Sequence, residues 1–200
     1  MNVPENEGAP RKRGRPRAFD EEAVLRRAML QFRQAGLDGT SVEDLVTATG
    51  LNRASLYGTF TDKEQLYLRA LALYAQDMAS ALGTAFSGPG PAEEKLRRVF
   101  DAAMTVYDAG GRGLGCMASG TAVAAAHSHP SVRAALAEVL RGMVTGLEAG
   151  LRAAGVADPA LTAELAGAVL TSLALRLRAG EGKAELHAFA QAAARRLAAG

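Results

Sequence analysis

Apolar residues recur every three or four positions along most of the chain, the period of a helix with one buried face. The first such run follows Asp20, a good N-cap, with Glu21 and Glu22 suited to the positive helix start. Val24, Leu25, Ala28, Met29, Phe32 and Ala35 share its inner face, and Gly36 offers a left-handed stop. Ser41 with Asp44 predicts a capping box over a short helix with Val42, Leu45 and Ala48 inward, ended by Gly50. Leu51 plugs the turn, and Asn52 caps a third short helix that buries Leu56 and Phe60. Asp62 and Gln65 open a fourth helix, through Leu66, Ala70, Leu73, Tyr74 and Met78 to about residue 83. Ser87-Gly88-Pro89-Gly90-Pro91 breaks the pattern.

Five further helices follow, over 92–108, about 114–126, a segment capped by Ser131, 159 to about 178 behind Asp158, and 184–198. The chain therefore reads as all-α, with about nine helices and no repeat of 20–50 residues. Composition agrees: 48% of the 200 residues are hydrophobic and 22% charged, with Trp absent.

Charge adds information through its placement. The net charge is only +2, yet Arg11, Lys12, Arg13, Arg15 and Arg17 crowd one stretch free of acids. Such an arm on a near-neutral body suits a polyanion, and is equally what a solvated terminus looks like. Cys116 is the single cysteine, so no intramolecular disulfide forms and a reducing compartment fits. No secretory h-region and no apolar run near ~20 residues is present, so a cytoplasmic, membrane-free protein is expected.

A helix, a Gly-containing turn and a short helix make a helix-turn-helix, whose second helix is short enough to enter a major groove. Arg53, Ala54, Ser55, Tyr57 and Thr59 then face outward, with Asn52 at the head of the segment. Arg53 suits guanine or phosphate, Ser55 either, and the Tyr57 hydroxyl phosphate. Thr40, Ser41 and the helix start beside them could hold another phosphate, with Lys63 adding a cation. The same topology also occurs as a simple three-helix cap.

The residues go further. FDEEAVLRRAMLQFRQAGLDGTSVEDLVTATGLNRASLYGTFTDKEQLY, about the first third of the chain, resembles the DNA-binding domain of the tetracycline-repressor (TetR/AcrR) family. Phe32, Gly36, Thr40, Ser41, Val42, Gly50, Ser55, Leu56, Tyr57, Phe60, Lys63, Glu64 and Leu66 carry the likeness. The resemblance implies Asn52–Thr59 as recognition helix, with DNA contacts at Thr40, Ser41, Arg53, Tyr57 and Lys63. Gly58-Thr59 departs from the family's bulkier pair, so Gly58 is expected to fray that helix. Arg13-Gly14-Arg15-Pro16 matches the core of an AT-hook, which would place Arg13, Arg15 and Arg17 in a minor groove.

By the same resemblance the chain divides into a basic arm (1–18), a helix-turn-helix domain (19–66) and a helical ligand-binding and dimerisation domain (67–200). It implies a homodimer on a palindromic operator, because paired recognition helices one DNA turn (~34–36 Å) apart read a palindrome. It also implies repression relieved by a small-molecule inducer. The last two helices would pair between subunits through Leu165, Val169, Leu173, Leu186, Phe189, Ala193 and Leu197. The same stripes fit an intrachain core. Pocket candidates are Phe100, Met104, Tyr107, Met117, Thr121, His127, Met143 and Leu147, apolar with a few polar handles.

Other chemistries find less support. Cys116 reads as an electrophile or redox sensor near Arg112, or as packing. Cys116, His127 and His129 lack metal-ligand spacing, so neither metal nor cofactor is expected. The glycines at 110–115 do not spell G-x-G-x-x-G, and no Walker A, G-x-S-x-G or H-E-x-x-H occurs, which argues against an enzyme. A DNA-coating protein would carry basic residues over its whole body, and this chain does not.

Overall fold

A computed structural model describes residues 20–199, so the arm and its Arg13, Arg15 and Arg17 lie outside the described residues. Among these, all regular structure is helical: α1 Glu21–Ala35, α2 Val42–Thr49, α3 Arg53–Phe60, α4 Lys63–Ser87, α5 Ala92–Asp108, α6 Val123–Ala125, α7 Pro130–Ala153, α8 Pro159–Arg178 and α9 Lys183–Ala199.

Local chemistry sets most of the boundaries. Asp20, Asn52, Asp62 and Asp158 each accept a backbone N–H three residues on, and Ser41 and Asp44 form the reciprocal capping box. Each such cap contributes about 1 kcal/mol. Gly50 takes the left-handed conformation that ends α2. The helix capped by Ser131 is different. α7 starts at Pro130 behind His129, and Ser131 instead donates its hydroxyl to Glu64. With α7 beginning at Pro130, Ser131 lies inside the first turn and is not its cap. Gly58 does not fray α3, which runs unbroken to Phe60 with the Thr59 hydroxyl donating to the Ser55 carbonyl at 3.0 Å.

The expected 114–126 helix is the largest departure. The chain stays irregular through Cys116, then makes a π-helical turn over Ala118–Ala122 before α6. Such turns add a residue to the helical repeat and often mark functional sites.

α4 organises the molecule. Its 25 residues, about 37 Å long at 1.5 Å per residue, pack against α1, α3, α5 and α7. The boundary expected after residue 66 therefore falls inside a continuous helix, and the two parts share one core. Phe32 of α1 meets Tyr67 of α4 edge to face at 5.0 Å, and the Tyr67 hydroxyl bonds Thr121 at 3.0 Å. Burial raises the Tyr67 phenol to about 12, so it stays protonated in that contact. α5, α8 and α9 close the far side.

The helix-turn-helix head and the α4–α7 cleft

The head is built around Leu37, Leu45, Leu56 and Phe60, all buried. With these inward, the opposite side of α3 faces solvent. Asn52, Arg53 and Ala54 are exposed at its start, and Ser55, Tyr57 and Thr59 are half-buried. The Arg53 side chain is 67% exposed and lies over the Tyr57 ring at 5.8 Å. Its contact to Glu43, at 3.9 Å between two exposed chains, is too weak to hold it.

Ser41 sits exposed at the start of α2, where its amide and hydroxyl both meet Asp44. Those bonds, the hydroxyl's first, hold the Asp44 carboxyl below its ordinary value. Lys63 donates to the Thr40 carbonyl at 2.9 Å, which brings its ammonium to the α1–α2 turn. Thr40 itself corrects the sequence expectation. Its side chain is fully buried and donates to the Gly36 carbonyl at 2.6 Å. It fastens the turn and has no surface to offer a phosphate.

A cleft of about 640 Å³ opens between α4 and α7, floored by residues of α5, the π-helical turn and α8. Of the pocket candidates, Tyr107, Met143 and Leu147 line it. Phe100 and Met117 are instead buried in the core, and Met104 packs against that core from its edge. Thr121 is buried against Tyr67, and His127 is exposed. None of the five lines the cleft, and His127 stands in the turn between α6 and α7. The sequence reading missed Tyr74, Ser119 and the glycines Gly83, Gly142 and Gly146, which line it too.

Cys116 is half-buried in the cleft wall, beside Tyr74 and Tyr107. The buried hydroxyls of Tyr74 and Ser119 have no hydrogen-bond partner within bonding geometry; the Cys116 sulfur towards which Tyr74 would donate is only a weak acceptor. Burial pushes the Tyr74 phenol well above 10, so it remains a neutral O–H.

Behind Tyr74 lies Arg33 of α1, buried, with its guanidinium 5.2 Å from the ring centre. Its Nη2 donates to the carbonyls of Val106, Tyr107 and Gly115 at 2.9, 3.2 and 2.6 Å. No carboxylate pairs with it among the described residues, and burial lowers its pKa. Arg178 of α8 returns the link, donating to the carbonyls of Arg33, Leu114 and Gln34. His129 makes a second bridge, bonding Asp38 at 2.9 Å and Glu64 at 2.7 Å. The head is thus joined to the cleft's frame by side chains as well as by α4.

The dimerisation candidates divide. Leu165 is 48% exposed, joined along α8 by Leu161 and Leu175. Val169, Phe189, Ala193 and Leu197 are half-buried, Phe189 under the Arg176 guanidinium at 4.6 Å. Leu173 and Leu186 are fully buried within their own chain, which removes them from any contact with a partner. By length and hydropathy α8 is a helix that could cross a membrane, though 44% of its apolar window is buried in the protein.

Residues 24–70 match the family model described as "Bacterial regulatory proteins, tetR family". The uncharacterized HTH-type transcriptional regulator YezE of Bacillus subtilis (strain 168) is 37% identical over 87 residues, 44% of this chain and 45% of that protein. The HTH-type transcriptional repressor ComR of Escherichia coli (strain K12) is 44% identical over 70 residues, 35% of this chain and 33% of that protein. The matched stretch thus spans less than half the length of either relative. Among solved structures, the TetR family transcriptional regulator CifR, a cysteine mutant complexed with 26-bp double-strand operator DNA, superposes with a TM-score of 0.81 at 26% identity. That likeness covers 90% of this chain and 98% of CifR. Residues 24–70 thus carry the N-terminal domain of the tetR family of bacterial regulatory proteins, within a fold shared with a TetR family regulator along nine-tenths of the chain.

Proposed function

We propose that the chain is a sequence-specific DNA-binding transcriptional regulator, a homodimeric repressor that leaves its palindromic operator when a small molecule enters the α4–α7 cleft. The observation that carries this is the α3 surface. Asn52, Arg53 and Ala54 stand clear at the helix start, with Tyr57 one turn on, over a buried Leu56–Phe60 backing. That shape fits a major groove, where Arg53 reads guanine or phosphate and Tyr57, Ser41 and Lys63 meet the backbone. The operator complex of CifR supports it.

Two copies would pair through the exposed stripe Leu161, Leu165 and Leu175 of α8, with α9 beside it. Covering that stripe accounts for the apolar length of α8 without a membrane. The reading places the protein in the cytoplasm and gives it no catalytic role.

Fragments of the source genome selected on the protein supply the operator for gel-shift titration. Specific binding should weaken about tenfold to hundredfold in Arg53→Ala while non-specific binding persists. Equal affinity for operator and unrelated duplex in the unaltered protein would overturn the proposal.

A further inference from the structure

The cleft itself carries information about what fills it. Gly83 of α4 and Gly142 and Gly146 of α7 all lie within helices and line the cleft. A Cβ added at any of them would meet nothing within 4 Å. Glycine inside a helix costs about 0.5–1 kcal/mol relative to alanine. Three such positions on one opening leave free the room that side chains would take. The room, about 640 Å³, suits a ligand of ordinary small-molecule size.

The lining limits the ligand's charge. No Lys, Arg or His faces the cleft among the described residues. Its one acid, Glu138, is exposed and paired to Arg141 at 2.6 Å. Arg33 is close by, behind the Tyr74 ring, with its Nη2 on three carbonyls and its buried Nε without a partner. A buried cation would lose its hydration and gain no counter-charge, and an anion would have only the Arg33 guanidinium, set back behind the Tyr74 ring. The two unpartnered hydroxyls, of Tyr74 and Ser119, limit its polar part. Tyr74 stands on α4 and Ser119 on the π-helical turn, and both line the same cleft. An unpaired buried hydroxyl is costly, and a ligand oxygen able to accept from it removes that cost.

We propose that the α4–α7 cleft takes a neutral, largely hydrocarbon molecule carrying one acceptor oxygen of carbonyl type, to which Tyr74 and Ser119 donate. This rests on the cleft being the effector site and adds the ligand's chemical class and the two residues that select it. The glycines of α7 provide the hydrocarbon's space.

The test uses the full chain with N-phenyl-1-naphthylamine as a fluorescent apolar probe, displaced by nonan-2-one, nonanoate or nonylammonium. The ketone should compete at least about tenfold better than either ion. Tyr74→Phe and Ser119→Ala should each weaken the ketone about fivefold and leave the melting temperature unchanged or higher, since each removes an unpaired hydroxyl. Gly146→Phe, with Gly142→Leu as a second plug, should abolish probe binding while circular dichroism stays helical. An ion that competes as well as the ketone, or ketone affinity unchanged in both hydroxyl variants, would overturn the ligand class and leave the cleft as effector site. Probe binding equal in the unaltered and plugged proteins would overturn the effector site itself.

Discussion

The head and the cleft solve opposite problems. The head is closed. Its caps are satisfied, Thr40 and Lys63 tie down the α1–α2 turn, and Leu45, Leu56 and Phe60 fill the space between three short helices. The cleft is open. It has glycines where side chains would fill it and two hydroxyls with no partner. A surface that reads a rigid duplex benefits from being preorganised, because ordering it on binding would cost affinity. A site that must respond to a ligand benefits from unsatisfied groups, because only an interaction gained on binding can shift an equilibrium. Arg33 and His129 stand between the two, each bonding across from one part to the other.

The contrast predicts substitutions of opposite sign. Phe60→Ala should be the most damaging, costing about 3–5 kcal/mol, because Phe60 is the one fully buried ring on α3. Chemical denaturation would measure the loss, and a cost below about 1 kcal/mol would show that the head is less tightly packed than the geometry says. Gly142→Ala should act the other way, stabilising by about 0.5–1 kcal/mol since its Cβ enters empty space. Destabilisation in thermal melts would mean the cleft closes in solution.

His129 gives the smallest effect and a pH signature. Bonds to Asp38 and then Glu64 raise its pKa above the ordinary 6.5, and Ser131 and then His129 lower that of Glu64 below 4.5. The raised histidine contributes fully below 6.5 and loses its contribution as pH climbs through the raised value. The lowered carboxyl contributes fully above 4.5 and loses it as pH falls through the depressed value. The bridge should therefore be strongest between pH 4.5 and 6.5. The melting-temperature gap between the unaltered protein and His129→Gln should be widest near pH 5.5 and narrow by pH 9. A gap that widens toward pH 9 would show that the bridge works through the neutral ring.

Legibility followed the same division. The caps at Asp20, Ser41, Asn52, Asp62 and Asp158 reach only three residues, so each was readable where it stood. Val24, Leu25, Ala28, Met29 and Phe32 of α1 followed from period alone, whereas Ala35 is exposed and Leu165 of α8 stands 48% exposed. Ser131 was misread because α7 begins one residue before it, at Pro130, and the Ser131 hydroxyl donates to Glu64, 67 residues away. Phe100 and Met117 were misplaced for a related reason. Periodicity tells which face of a helix is apolar, and both a core and a cleft wall are apolar. The π-helical turn that positions Ser119 has no sequence period of its own.

What the chain's order of residues determined by itself is most of the helices and the exposed start of α3, because capping, turn and periodic signals act within one or two helical turns. What tertiary structure alone decided is the cleft, the buried seat of Leu173 and Leu186 and the Arg33 and His129 bridges. Those depend on which helix lies against which. A glycine writes nothing on its own helix to say that a neighbour has left the space beside it empty.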